Sequence, residues 1–190
     1  MIGEALVFLK NQLNNYIKPI LDHDGTQPDP VEFISGDNME PLSFKSGAIS
    51  VLLINLEEEH ALRAPDPYRR TAANGMRQSV QPDIRLNLFV LFVARYAQYE
   101  DSLHALSLII RFFQKHRVFT HTDAPALSDN IERLAIELVT LPLAEQNEIW
   151  SALRVAYHPS VLYKVKMVVF QDEDGATPPA ISEKVIRISQ

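Results

Sequence analysis

The chain has 190 residues, 46% of them hydrophobic and 22% charged, with 18 Lys and Arg against 24 Asp and Glu and no cysteine. These values fit one globular domain around a single core and exclude disulfides, thiolate metal sites and a cysteine nucleophile. A net charge of −6 argues against nonspecific nucleic-acid binding across the surface, and the longest strongly apolar run, Leu88 to Ala94, is far too short for a membrane span.

The first residues lack the basic segment and uninterrupted apolar stretch of a signal peptide, which predicts a chain that stays in the cytoplasm. Ile2, Leu6, Leu9, Leu13 and Ile17 recur at helical spacing and predict an amphipathic helix ending before Pro19. A Gly- and Pro-bearing loop follows, then a short strand over Val31 to Gly36. Ala48 to Glu59 is apolar on both faces up to its acidic end, the pattern of a strand covered on both sides. His60 to Asp83 is a long Pro- and Arg-bearing loop, and such loops are usually functional or disordered.

Ile84 to Tyr96 is the strongest strand. Ile84, Leu86, Leu88, Val90, Phe92 and Ala94 line one face; Phe89, Leu91 and Val93 cover the middle of the other. Tyr99 to Arg117 reads as a helix, acidic at its start and basic at its end, with Leu103, Leu106, Ile110 and Phe113 as the main stripe and Leu108, Ile109 and Phe112 widening it, so that more than one side is buried. Arg133 to Leu141 predicts a strand with Leu134, Ile136 and Leu138 on one face. A shorter helix then starts at Pro142. Trp150, Leu153 and Tyr157 share its face, and Pro159 ends it, so this stretch reads as a joint from helix to strand. In the strand that follows, Val161, Tyr163, Val165, Met167 and Val169 oppose Lys164 and Lys166. If the strands flanking the short helix were parallel, their crossover would be right-handed. The whole is an α+β (mixed α/β) pattern: one mixed, mainly antiparallel sheet of about five or six strands with three flanking helices. The domain is assigned to residues 1–171, and 172–190 to a tail ending in an edge strand.

The chemistry-bearing residues form no enzyme signature. No G-x-S-x-G elbow surrounds Ser151 or Ser160, the six glycines are scattered, and His158 sits at a helix exit where terminal carbonyls can occupy it. Trp150 is read as a core or interface anchor. Glu57 and Glu59 converge on one face of their strand, but a carboxylate pair alone is a weak metal site. His116 and His121 match no compact metal motif. One unusual feature remains: Arg63, Arg69, Arg70 and Arg77, with Tyr68 among them and Asp66 as the sole acid between Arg63 and Arg77. Arginine and aromatic residues anchor protein interfaces.

Several separated blocks carry a family resemblance: Leu6 to Ile17, Val51 to Arg63, Ile84 to Tyr96, Leu103 to His121 and Leu134 to Val165. Across roughly Ala5 to Phe170 the sequence resembles the N-terminal domain of the cap, or tail-terminator, proteins of phage-tail-like contractile injection systems. The resemblance implies a terminator-like fold and a structural role with no catalytic residue, metal or cofactor. It also implies a self-assembled ring, expected to be sixfold, that contacts the last layers of inner tube and sheath and stops their growth. Such a subunit is cytoplasmic until it joins the particle, with neither membrane nor nucleic acid as partner. A ring needs head-to-tail contacts between different patches. The arginine loop can supply one patch, and Glu57 to Glu59 or Asp172 to Asp174 the other. Two rivals stand beside this reading: a divergent metal-dependent hydrolase built on Glu57, Glu59 and a nearby histidine, and an adaptor that binds an acidic partner without ring symmetry.

Overall fold

A computed structural model of the chain describes residues 1–21, 28–35, 42–59, 69–71, 77–79 and 84–169. In chain order these form α1 (Ile2–Leu21), β1 (Val31–Phe33), β2 (Ala48–Glu58), β3 (Arg69–Thr71), β4 (Arg77–Ser79), β5 (Ile84–Arg95), α2 (Tyr99–Lys115), β6 (Val118–Thr120), β7 (Ile131–Val139), α3 (Leu143–Leu153) and β8 (Ser160–Val169). Six strands make one mixed sheet in the order β1-β2-β5-β8-β7-β6, with β1 parallel to β2 and the other pairings antiparallel. The expected fold class holds: a mixed, mainly antiparallel sheet with three flanking helices.

The alternation in β5 decides the layering. Leu88, Val90, Phe92 and Ala94 enter a large core with α1 and α2, while Leu91 and Val93 enter a smaller cluster on the opposite face. Across β8, Tyr163, Val165 and Met167 join the large core, and Leu162 joins the small one. Aromatic rings knit the large core, with Phe113 lying 5.7 Å from Phe92 and 4.7 Å from Tyr163. Such pairs add about 0.5–1.5 kcal/mol beyond area burial.

Helix α1 buries Leu6, Leu9, Leu13 and Ile17 as its spacing requires, but carries Asn14 on the same buried side. The Asn14 amide donates to the Val31 carbonyl (2.9 Å) and accepts from the Val31 amide (2.8 Å). A side chain thus acts as the missing neighbour of edge strand β1 and ties the helix to the sheet. Among the described residues no helix is long and apolar enough to cross a membrane.

Several expectations need correction. Helix α1 runs through Pro19 to Leu21; the proline costs one hydrogen bond in the last turn, where the exposed Asn15 carbonyl can turn to water. The long loop is not wholly irregular, because β3 and β4 pair within it as an antiparallel ribbon, Arg70 opposite Gln78. Strand β2 is buried from Ala48 to Val51 only, and its second half is largely exposed. Of the expected α2 stripe Leu106 and Phe113 are buried, as are the widening residues Leu108, Ile109 and Phe112, but Leu103 and Ile110 are exposed and Ser102 and Ala105 take buried places instead. Small residues let the helix approach its neighbours, so apolar size misjudged its orientation. Leu138 is exposed. Strands β7 and β8 are antiparallel, so no parallel crossover arises. Helix α3 begins at Leu143 with Pro142 as its cap and ends at Leu153, so Tyr157 lies beyond it. The tail, 172–190, and its expected edge strand lie outside the described residues.

Candidate functional site

Among the described residues, α3 and the segment around Phe44 cover the sheet face opposite α1 and α2. Of the residues in α3 only Trp150 is buried, at 5% exposure, while Leu143 at the helix start is 84% exposed. The Trp150 ring meets Phe44 at 6.0 Å, Tyr157 at 5.4 Å and His158 at 6.2 Å, each edge to face. Arg154 closes the helix in the left-handed conformation, φ 56°. After the turn the carbonyl of buried Pro159 accepts the Ala94 amide at 2.9 Å, aligning β8 with β5. Arg95 donates from Nη1 to the Phe44 carbonyl. Burial, with the Arg95 charge second, holds the His158 pKa below its ordinary 6.5. Tyr157 itself is 58% exposed.

Beside α3 no described residue covers the sheet completely. The helix and the second half of β2 flank a groove of about 640 Å³. Leu52, Ile54, Phe89, Leu153 and Leu162 supply apolar walls, and Glu57, Glu145 and Glu148 supply acids. A bulge shapes this wall: Leu53 pairs with Val90 and Asn55 with Phe89, leaving Ile54 as an extra residue. A smaller cleft of about 260 Å³ lies on the β7 side of α3, lined by Val139, Gln146 and Trp150 among others.

The residues singled out in the sequence fall in separate places. Glu57 accepts from Asn55 Nδ2 at 3.3 Å, and Glu59 accepts from Asn87 Nδ2 at 3.2 Å, so the amides of two neighbouring side chains engage these carboxylates. Asn87 is 4% exposed, and its Oδ1 has no donor among the described residues. No group of three or more His, Asp or Glu among the described residues is placed to hold a metal ion. Arg69, Arg70 and Arg77 lie in β3 and β4; Arg63 and Tyr68 fall outside the described residues.

Sequence reasoning missed Phe44, Glu145 and Glu148. Phe44 stands in a short segment between breakers, where periodicity gives no signal. Glu145, Glu148 and Ala152, by contrast, follow helical spacing and mark one face of α3, a signal that was available.

With this geometry in hand, comparisons place the chain among known proteins. The sequence matches the family described as the Pvc16 N-terminal domain over residues 6–183. No curated protein matches it. Among solved structures, the fold is similar to the sheath/tube terminator, in the extended state, of the extracellular contractile injection system PVC. The identity is 17% and the TM-score 0.63, over 100% of this chain and 64% of that one. It is also similar to the tube terminating cap of the anti-feeding prophage (AFP), with 15% identity and a TM-score of 0.52 over 74% of this chain and 49% of that one. At these identities the likeness is one of fold, and this chain spans only part of each of those proteins.

Proposed function

The chain belongs to the Pvc16 N-terminal domain family, and from that membership we propose that it is a cap subunit that ends the growth of tube and sheath in a contractile injection particle. The family match across residues 6–183 carries this reading. It is supported by the fold shared with a sheath/tube terminator over the full chain. The subunits form a ring of six by head-to-tail contacts, and the ring meets the last layer of tube protein and the last layer of sheath protein. It works by binding, without a catalytic residue, metal or cofactor, and joins the particle in the cytoplasm. Residues 1–171 form the terminator-like domain and 172–190 a tail, into which the family match extends.

Within that domain, Trp150, Tyr157 and Pro159 serve as the joint between α3 and β8. The four-ring cluster and the Pro159–Ala94 hydrogen bond support this. The arginines Arg63, Arg69, Arg70 and Arg77, with Tyr68, supply an interface patch, and Glu57 and Glu59 belong to an acidic patch that faces it across the assembly.

The test is the length distribution of particles, by electron microscopy, from cells with and without the gene. The expected result on deletion is overlong or frayed tubes. Particles of normal length with intact ends would overturn the cap reading.

A further inference from the structure

Resting on the cap reading, we infer that the groove between α3 and β2 receives arginine side chains from the β3–β4 ribbon of a second copy of this chain. The groove has what such an occupant needs. Its floor and walls are half-buried apolar side chains, Leu52, Ile54, Phe89 and Leu153, that α3 leaves incompletely covered. Its acids are Glu57, Glu145 and Glu148. Among the described residues, Lys164 lies against its floor, with Nζ 5.6 Å from the Phe89 ring centroid, beside these three carboxylates.

Charge selects the occupant. The chain is acidic overall at −6, so two copies repel unless a local cationic patch makes the contact. From Arg69 to Arg77 the sequence has three arginines and no acid. Guanidinium groups fit carboxylates as two-pronged donors, and their stems cover apolar wall as the heads reach the rim. A groove of about 640 Å³ takes a few side chains, not a folded element. By register Arg69 on β3 and Arg77 on β4 fall on one side of a paired ribbon, and Arg70 on the other, so part of the ordering cost of that pair is met before docking. Groove and ribbon are different patches of one chain, which is the head-to-tail arrangement a closed ring requires.

The absence of cysteine allows a direct test. Ala152→Cys, exposed at the groove, and Gln78→Cys, on β4, are combined in one chain, expressed with the rest of the particle, and linked with a short bis-maleimide in purified particles. Species of two or more chains joined from 78 to 152, absent from either single variant, are expected. A chain present in particles but unlinked, linked only to itself, or linked to sheath or tube protein overturns the inference and leaves the cap reading standing. A chain absent from particles that end normally overturns both. Charge reversal gives a second readout. Glu145→Arg with Glu148→Arg, or Arg69→Glu with Arg77→Glu, should each lower the chain retained per particle about tenfold, and combining all four should restore it. Undiminished retention in either pair, or no restoration, counts against the inference.

Discussion

Phe92 and Leu91 are adjacent in β5 and point to opposite sides of the same sheet, yet they enter different environments. Phe92 lies under two helices in a core reaching from α1 to β7, with Phe113 and Tyr163 against its ring. Leu91 lies in a cluster whose buried members, among the described residues, are Phe44, Val93, Trp150 and Leu162 besides itself, under the 11-residue α3. Among the described residues the first face is covered by two helices, and the second is held at Trp150 and otherwise only partly covered. Stability is concentrated on one side, so the other can keep apolar surface in reach of a partner.

The largest test of that contrast is truncation at the two anchors. Phe92→Ala and Trp150→Ala should each cost about 3–5 kcal/mol in urea unfolding, since both side chains are buried. A loss well below 1 kcal/mol for Trp150→Ala would mean that α3 is held by something other than its joint, and the contrast between the faces would fail. A smaller effect belongs to the tie between α1 and the sheet edge. Asn14→Ala removes both hydrogen bonds to Val31 and leaves a buried amide and carbonyl without partners, at a cost of about 2 kcal/mol. An unchanged urea midpoint would show that α1 is held by packing alone.

The smallest effect is pH-dependent and sits at the joint. The His158 pKa is lowered in the folded chain, so on acidification the unfolded chain takes up this proton first. Its contribution is intact above the unfolded value of 6.5, declines as pH falls from there to the lowered folded value, and is constant below it. His158→Gln should flatten the fall in stability just below pH 6.5, measured as urea midpoints across that range. An identical slope in the variant would remove this role.

These contrasts were unevenly legible in the sequence. The two faces of β5 could be read residue by residue, because a period of two has a single solution once both faces carry apolar residues. The orientation of α2 could not, because Ser102 and Ala105 occupy its buried side without hydrophobic bulk. Ser102 is there for another reason: its Oγ accepts the Tyr96 amide at 3.1 Å, steadying the helix start. The family was visible because separated blocks in fixed order carry it. The groove was not, because its walls come from β2, β5, β8 and α3, and only the fold brings Glu57 beside Glu148. The acidic spacing on α3 was in plain view but had no meaning until its neighbour was known.

The edges of the sheet carry one more consequence. Both outermost strands, β1 and β6, are three residues long, and from Leu53 to Glu57 no described strand pairs with the outer side of β2. An exposed backbone edge is a template on which further strands can crystallise. Here the bulge at Ile54 interrupts the template, the Asn55 side chain takes the Leu56 amide at 2.8 Å, and charge follows at Glu57 and Glu58. These features disfavour the addition of further strands and favour association through side chains. Contacts of that kind can be screened by salt, matched to one partner and undone, whereas a backbone ladder would seed growth without an end.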